Sequence, residues 1–328
     1  MISHLLQSIE TGPTGLAWLA LLLAFGALAK CAAFFVDSAV SMAVRLQIPR
    51  LVVGLVLVSL ATTTPELSVS LIAALRGRPE MALGNAVGSV IGNCGVALAL
   101  CGIFAPRPVP VLRPVFRQTA GVLTAAMVLL GLFVLPDATL GRGEGVVLLG
   151  GFVVYLALLV WRYRHGGATI EAEAVDRGGS WPGLVARFVL GVGGVILASR
   201  FVVASAITLA HRFGVPEAVI ALTLVALGTS IPEIATSVTS AWKGQGALSV
   251  GNILGANIMN IGWVAAASAI AHPLTLDRRS VGFMFPAMGL IVAATFYVLN
   301  SSAALSRREG FLLLALYGAY LAGFLWVF

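Results

Sequence analysis

One eight-residue pattern occurs twice in this chain: residues 59–66 read SLATTTPE, and residues 226–233 read ALGTSIPE. Each lies inside a longer copy, residues 45–95 and residues 212–262, and the copies align without a gap at a constant offset (233 − 66 = 167). More than a third of the aligned positions are identical. They include a second motif, which reads Gly84, Asn85, Gly88 and Asn93 in the first copy and Gly251, Asn252, Gly255 and Asn260 in the second. The chain therefore contains an internal duplication, and the duplicated polar residues are the first candidates for a functional site.

The composition places the chain in a membrane. Of its 328 residues, 59% are hydrophobic and 10% are charged, which excludes an ordinary soluble domain. Apolar runs long enough to cross a bilayer as helices recur throughout, whereas barrel strands would alternate over about ten residues. We predict ten transmembrane helices over residues 15–43, 51–75, 81–103, 118–135, 145–161, 182–211, 216–241, 247–269, 281–299 and 309–328. The predicted fold is an all-α polytopic membrane protein.

Five helices in each half predict an inverted repeat, because an odd number turns the second copy upside down in the bilayer. We expect the first repeat over residues 1–161, a cytoplasmic linker over 162–181 and the second repeat over 182–328. The linker is the longest hydrophilic stretch and has no apolar periodicity. The first apolar run lacks a basic leader, so we expect it to remain as a helix rather than act as a signal peptide.

Loop charges predict the orientation in the membrane. The connections on one side of the predicted bundle carry 11 Lys and Arg residues and those on the other side carry 6. The richer side should face the cytoplasm, which places both termini outside a cell (inner) membrane. The net charge of +7 is thus explained by topology rather than by nucleic-acid binding.

Three acids fall well inside predicted helices: Asp37, Glu66 and Glu233. A charge at the bilayer centre costs about 2.5–3.5 kcal/mol on insertion scales, so each needs a partner or a function. Glu66 and Glu233 are equivalent in the two copies, and no intramembrane basic residue is equivalent in both, so a symmetric salt bridge does not explain them. Asp37 has Ala204 as its equivalent. Two interpretations of Asp37 stay open, an ion access path or a local structural cap, and we leave it outside the primary site.

The residues around each glutamate are suited to binding a cation through oxygen atoms. Pro65 and Pro232 each remove a helical hydrogen bond, and the freed carbonyls and neighbouring hydroxyls can coordinate an ion. These breaks and the later Gly-Asn motifs predict that helices 2, 3, 7 and 8 are broken. Carboxylate, carbonyl, hydroxyl and amide oxygens suit Ca²⁺ or Na⁺, whereas zinc, copper or iron would favour imidazole or thiolate. Two carboxylates are neutralised by one Ca²⁺ or two Na⁺, and competition for one site gives antiport.

The two motifs, T-x-x-P-E and G-N-x-x-G-x-x-I-x-N, occur together, twice and in order. They resemble the α-repeats of the calcium/cation antiporter superfamily, and most of all its prokaryotic sodium/calcium exchangers. The resemblance implies an ion site made by helices 2, 3, 7 and 8, with alternating access by sliding of helices 1 and 6. It implies central ligands at Glu66 and Glu233, hydroxyl ligands at Thr62, Thr63, Thr229 and Ser230, carbonyl ligands at Ser59 and Ala226, and polar side chains opposite them at Ser89, Asn93 and Asn260. Ca²⁺ itself is assigned to Glu66, Glu233, Thr62 and Thr229.

The chain departs from the exchanger pattern at four positions. Exchangers of this family typically carry Asp where Asn260 stands and Ser where Ala256 stands, and Val90 and Thr63 replace an Asn and a Ser. The missing Asp and Ser remove a titratable group and a hydroxyl ligand of a sodium-type site. Exchange of Ca²⁺ for Na⁺ is the preferred interpretation, and exchange of Ca²⁺ for H⁺ is the alternative. We expect no cofactor, no nucleic acid and no obligatory protein partner, with inorganic cations and the lipid bilayer as the only partners.

Two other functional classes are weaker. A channel usually builds its pore from several subunits around an axis, whereas this chain presents a single pair of acids. An intramembrane hydrolase could use the two glutamates as acid and base, but the motifs supply neither a metal-binding His cluster nor an activated Ser.

Overall fold

The computed structural model describes residues 2–46, 48, 50–111, 113–165, 180–214, 226–301 and 304–327, and these are nearly all helical. The helices are α1 (Ile2–Thr11), α2 (Thr14–Leu46), α3 (50–62), α4 (Thr64–Leu75), α5 (Pro79–Phe104), α6 (Arg113–Asp137), α7 (Arg142–His165), α8 (Trp181–Arg212), α9 (Ala226–Thr229), α10 (Ile231–Trp242), α11 (Gly246–Ala271), α12 (Arg278–Ser301) and α13 (Arg307–Val327). Four two-residue strands complete the fold: β1 (Val109–Pro110), β2 (Thr139–Leu140), β3 (Leu274–Thr275) and β4 (Ala304–Leu305).

The helices confirm the membrane class. Eight of them are long and apolar enough to span a bilayer, or nine if α3 and α4, which meet at a 49° bend, count as one span. They account for nine of the ten predicted runs. The remaining run, residues 216–241, begins outside the described residues, and its described part is α9 and α10. Most of the predicted linker, residues 166–179, also lies outside them.

The duplication seen in the sequence is repeated in the local structure. Adding the offset of 167 to the bounds of α4 gives the bounds of α10, because 64 + 167 = 231 and 75 + 167 = 242. Helix α5 moved by the same offset gives α11, because 79 + 167 = 246 and 104 + 167 = 271. The short strands pair between the halves, β1 with β4 and β2 with β3, both antiparallel. The same sequence pattern therefore produces the same helix boundaries in both copies.

Helices α5 and α11 form the centre of the molecule. Their most apolar windows are 72% and 83% buried, against 22–28% for α2, α6, α7 and α13. The predicted breaks in helices 3 and 8 were wrong, because α5 and α11 are each continuous. The second motif produces instead a π turn at the same repeat position in each helix, Asn93–Ala97 and Asn260–Ala265. A glycine in each turn admits an outer aromatic side chain: a Cβ on Gly95 would lie 2.8 Å from Tyr317 Cβ, and one on Gly262 would lie 2.7 Å from Phe152 Cβ. Small residues thus let the outer helices approach the central pair closely.

The two longest helices, α2 and α8, pack against each other outside this centre. Gly191 and Gly194 of α8 face Phe35 and Cys31 of α2, where an added Cβ would clash at 3.0 Å or less. Large apolar side chains on the other faces of these helices, such as Leu22 and Leu190, are exposed. Such surfaces suit contact with lipid.

Candidate cation-binding site

The helices are interrupted at Thr63, which separates α3 from α4, and at Ser230, which separates α9 from α10. The expectation that Pro65 and Pro232 each remove a helical hydrogen bond was wrong. They occupy the first turns of α4 and α10, where the N–H that proline lacks would have no partner within the helix. The carbonyl of Ser59 accepts from the backbone N–H of Thr63 at 2.8 Å and retains a second lone pair. Its equivalent, Ala226, begins α9. The breaks place the following glutamates in the first turn of α4 and α10.

Glu66 and Glu233 are both buried at 0% exposure. The Thr63 hydroxyl donates to Glu233 Oε1 at 3.0 Å, and the Ser230 hydroxyl donates to Glu66 Oε1 at 3.1 Å. These are the same bond made twice, since 63 + 167 = 230. Oε2 of each glutamate has no hydrogen-bond partner among the described residues. Two buried carboxylates, each with an oxygen left over, form a site that a cation would complete.

A second pair of bonds crosses between the copies. The Thr62 hydroxyl donates to Asn252 Oδ1 at 3.3 Å, and the Thr229 hydroxyl donates to Asn85 Oδ1 at 3.1 Å. Neither asparagine was among the predicted ligands. The signal was present, because both asparagines belong to the repeated Gly-Asn motif and are identical at equivalent positions.

Two serines that were also missed hold these asparagines. Asn85 Nδ2 donates to Ser70 Oγ at 3.0 Å, and Asn252 Nδ2 donates to Ser237 Oγ at 2.8 Å. Ser70 and Ser237 are identical repeat positions too. Repeat identity was therefore a better guide to the network than the type of side chain alone.

Of the remaining predicted polar residues, Ser89 and Asn93 make hydrogen-bonding contacts across the site, whereas Asn260 has no partner among the described residues. Ser89 Oγ lies 3.3 Å from Ser230 Oγ and joins the surroundings of Glu66. Its equivalent, Ala256, supplies no hydroxyl, so the surroundings of the two glutamates differ. Asn93 Nδ2 donates to Asn257 Oδ1 at 3.1 Å. Asn260 is buried at 0% exposure, and neither atom of its amide has a partner among the described residues.

Asn257 was missed as part of the network, because its repeat equivalent is Val90. It accepts from Asn93, and its own Nδ2 contacts Cys94 Sγ at 3.1 Å. Comparison of the two copies does not mark this position, although the exchanger pattern has Asn where Val90 stands. The approach of α5 to α11 reveals its contacts.

Asp37 takes part in an ion pair. The Lys243 Nζ atom lies 2.6 Å from Asp37 Oδ1 and also donates to the carbonyl of Ala33 at 3.2 Å. The pair joins α2 to the turn between α10 and α11. Asp37 is thus exposed and paired with a lysine, whereas Glu66 and Glu233 are fully buried.

The chemistry of the donors points to a hard cation. No group of three or more His, Cys, Asp or Glu side chains gathers among the described residues. The site offers instead two carboxylates, the hydroxyls of Thr63 and Ser230 that donate to them, and neutral amides. Ca²⁺ and Na⁺ accept such oxygen ligands, with Ca²⁺ drawing more benefit from the double negative charge.

Comparison with known proteins agrees with this chemistry. A family model described as sodium/calcium exchanger protein matches residues 16–161 and 183–326. The putative antiporter CaxA of Alkalimonas amylolytica is 33% identical over 295 residues, which cover 87% of this chain and 91% of that protein. The sodium/calcium exchanger MaX1 of Methanosarcina acetivorans is 26% identical over 345 residues, covering 93% and 97%.

The fold is also similar to a solved exchanger structure. The sodium-calcium exchanger NCX_Mj, soaked with Na⁺ and Ca²⁺, superposes with a TM-score of 0.80 at 25% identity, covering 94% of this chain and 98% of that one.

Proposed function

This chain belongs to the sodium/calcium exchanger family, and we propose that it is a secondary antiporter that exchanges Ca²⁺ for Na⁺ across the membrane. The family is one of transporters rather than enzymes, and the exchanged ions are its substrates. The observation that carries the proposal is the reciprocal carboxylate pair: Glu66 and Glu233 are buried together, and each keeps one oxygen without a partner among the described residues.

Charge compensation supplies the coupling. Two buried carboxylates repel each other and are costly in a low-dielectric interior unless opposite charge accompanies them. One Ca²⁺ or two Na⁺ would neutralise the pair. A loaded site can then pass between the two sides of the membrane at low cost, whereas an empty one cannot. Each passage therefore carries an ion, and movement of one ion requires return of the other.

The reciprocal contacts support an inverted repeat. Bonds that run from each copy to the equivalent atoms of the other are expected when the copies are related by a two-fold axis. We infer that this axis lies in the membrane plane, that ten helices span the bilayer, and that α2 and α8 slide against the central helices during alternating access. In this arrangement the side richer in Lys and Arg lies on the cytoplasmic face of the inner membrane.

Exchange of Ca²⁺ for H⁺ is a second candidate, favoured by one observation. Asn260 is neutral where related exchangers typically carry Asp, and Ala256 provides no hydroxyl, so the site holds fewer groups suited to Na⁺. The two glutamates could then carry protons between calcium cycles.

Uptake of radioactive Ca²⁺ into proteoliposomes tests both candidates. The purified protein is reconstituted, and uptake is compared under an outward Na⁺ gradient and under an outward H⁺ gradient. We expect uptake with the Na⁺ gradient. Uptake with the H⁺ gradient alone would show that the coupling ion is H⁺ rather than Na⁺. Absence of uptake under both gradients would overturn calcium antiport. Uptake without any counter-ion gradient, at a rate that does not saturate, would indicate a channel.

A further inference from the structure

The two short ribbons of the fold are equivalent in structure. We call the β1–β4 pair the first ribbon and the β2–β3 pair the second ribbon. Adding 165 to the bounds of β1 gives those of β3, and adding it to those of β2 gives those of β4, because 109 + 165 = 274 and 139 + 165 = 304. The register is equivalent too: Val109 pairs with Leu305, and their equivalents, Leu274 and Leu140, pair with each other. Each ribbon therefore serves as a reference for the other.

The two ribbons differ in charge. The loops of the first ribbon, residues 105–117 and 300–309, contain one acid, Glu309, and five exposed arginines: Arg107, Arg113, Arg117, Arg307 and Arg308. Their net charge is +4, because 5 − 1 = 4. The equivalent loops of the second ribbon, residues 270–282 and 135–144, contain three arginines and three acids, and with neutral histidine their net charge is zero (3 − 3 = 0). Positive charge is thus concentrated at one ribbon only.

Comparison of equivalent positions shows which charges are particular to the first ribbon. Two of its arginines have an arginine as their equivalent in the second ribbon. The other three, Arg107, Arg117 and Arg308, stand where the second ribbon has His272, Gly282 and Gly143. Since the second ribbon forms without these three charges, they are not needed to build such a ribbon.

Most arginines of the first ribbon are also not used to hold its loops together. In the second ribbon, Arg278 donates to the carbonyl of Pro136 at 3.0 Å and so joins the two loops. In the first ribbon, Arg117 Nε donates to Asn300 Oδ1 at 3.4 Å. The remaining four have no hydrogen-bond or ion-pair partner among the described residues: Arg107, Arg113, Arg307 and Arg308. A guanidinium group has five N–H donors in a planar fork that fits the oxygens of a phosphate, so these four side chains are available to an anion.

Exposed apolar side chains lie beside these arginines. Phe311 and Leu312 follow Arg308 by three and four residues on α13, which places them on the same helix face, and they are 59% and 51% exposed. Phe104, the last residue of α5, precedes Arg107 and is 56% exposed. A phospholipid offers a phosphate to the arginines and acyl chains to the apolar side chains, whereas a free phosphate would contact the arginines alone.

We propose that the first ribbon binds the headgroup of an anionic phospholipid, with Arg107, Arg307 and Arg308 around its phosphate. Arg107 and Arg307 lie two residues beyond the Val109–Leu305 pair, at the same end of the ribbon. In the orientation proposed above, this ribbon lies on the cytoplasmic side, where anionic lipids give the membrane surface a negative potential. The inference goes beyond ion exchange and does not depend on which ion is transported.

Topology alone makes a different prediction. The excess of Lys and Arg in cytoplasmic loops orients a membrane protein during insertion and requires no bound lipid. In that case the folded protein would bind anionic and zwitterionic lipids equally, and removal of arginines from either ribbon would have the same effect. Lipid binding by matched variants of the two ribbons separates these explanations.

The test measures phospholipid binding to the purified full-length protein in detergent by native mass spectrometry, with phosphatidylglycerol and phosphatidylcholine as the probes. We expect the wild type to bind phosphatidylglycerol about tenfold more tightly than phosphatidylcholine, because only the former has a net negative charge. Each arginine near a membrane surface strengthens binding of anionic lipid about fivefold, so Arg107→Gln with Arg308→Gln should weaken phosphatidylglycerol binding about thirtyfold. Wild-type protein without a preference for phosphatidylglycerol would overturn the proposal.

The matched control is Arg142→Gln with Arg279→Gln, which removes two arginines from the second ribbon and should bind phosphatidylglycerol like the wild type. Equal losses in the two double variants would show a general effect of charge and overturn the site, as would wild-type affinity in the first-ribbon variant. Displacement of phosphatidylglycerol by millimolar inorganic phosphate would identify a free anion rather than a lipid as the ligand, which also contradicts the proposal.

A single variant covers the case in which the first-ribbon double variant does not fold. Arg308→Gln changes one exposed side chain and should weaken phosphatidylglycerol binding about fivefold. Unchanged affinity in this variant would count against the site. Calcium exchange is measured separately by uptake into proteoliposomes, so failure of the lipid site and failure of the proposed function are distinguishable.

Discussion

At the residue scale, Glu66 and Glu233 share one chemical environment that is built twice. Each is fully buried, and each accepts a hydrogen bond from one hydroxyl of the opposite copy. The environments differ at one point, because Ser89 stands near Glu66 and Ala256 takes the equivalent position near Glu233. The pair is therefore symmetric in charge and asymmetric in the hydroxyls around it, and under the proposed function this suits one divalent ion between the carboxylates better than two equivalent monovalent sites.

Removal of either carboxylate charge should abolish exchange. A unit charge pair 4 Å apart contributes about 4 kcal/mol at an effective dielectric constant of 20, so Glu66→Gln or Glu233→Gln should bring Ca²⁺ exchange below detection. Glutamine keeps the shape and an acceptor oxygen, and the protein should still fold. Counter-ion-driven Ca²⁺ uptake into proteoliposomes provides the measurement.

The exposed Glu80 at the start of α5 offers a matched control for this prediction. Glu80→Gln makes the same change on a neighbouring helix and should transport like the wild type. Wild-type exchange in either buried variant would refute the carboxylate site.

Asn260 should influence the coupling ion. Both atoms of its amide are without a partner among the described residues, so Asn260→Asp would add a negative charge to a buried polar region. Additional negative charge favours an additional cation, and we expect the apparent Na⁺ affinity to rise severalfold with a changed stoichiometry. The membrane voltage at which Ca²⁺ flux reverses reports that stoichiometry. An unshifted reversal potential, at normal expression, would exclude Asn260 from the site.

At the scale of the elements, close packing depends on particular glycines. A Cβ on Gly145 of α7 would lie 2.8 Å from the carbonyl oxygen of Ala266 in α11, a distance that helix backbones can relieve only by moving apart. Gly150 of the same helix is exposed, and no described atom lies within 4 Å of the position of its Cβ. The two glycines have the same chemistry in the sequence and opposite consequences in the fold.

Alanine substitutions at these two glycines should therefore have opposite effects on the free energy of unfolding. Gly145→Ala should lower the free energy of unfolding by about 1–3 kcal/mol through overpacking. Gly150→Ala should leave it unchanged or raise it by up to about 1 kcal/mol, since alanine is the better helix former. Melting temperatures in detergent measure both, and equal melting temperatures would contradict the packing of α7 on α11.

Local signals explain where the outer helices begin. The Gly141 N–H donates to Glu144 Oε2 at 2.6 Å before α7, and the Ser306 N–H donates to Glu309 Oε2 at 2.7 Å before α13. Each glutamate satisfies a backbone donor just ahead of its helix, as in a capping box. These starts are encoded within four residues and do not require the rest of the molecule.

At the scale of the whole molecule, the unequal distribution of Lys and Arg predicts the orientation. A single cysteine placed in residues 166–179 should react with membrane-impermeant reagents only from the cytoplasmic side. The background variant lacks Cys31, Cys94 and Cys101, of which the last two are buried. Labelling of intact cells from outside would show that the orientation is the reverse of the predicted one. It would not contradict the carboxylate site.

The sequence alone predicted the class of the molecule and singled out the two glutamates that the fold buries at the candidate site. Apolar runs identified the helices, and the offset of 167 residues singled out Glu66 and Glu233 together with the hydroxyls beside them. This was possible because hydrophobicity and repeat identity are properties of the chain itself. The same offset also marked Asn85, Asn252, Ser70 and Ser237, although their role could not be read from it.

The tertiary structure alone decided how the two copies complete each other. Thr62 bonds to Asn252 and Thr229 bonds to Asn85, pairs separated by 190 and 144 residues. It also brought Asn257 to Asn93 and Lys243 to Asp37, neither of which has a matching pair in the other copy. Such contacts depend on the angle and depth at which packed helices meet, and residues distant in the chain determine both. A repeat pattern identifies equivalent residues, whereas only the packed fold determines which of them touch.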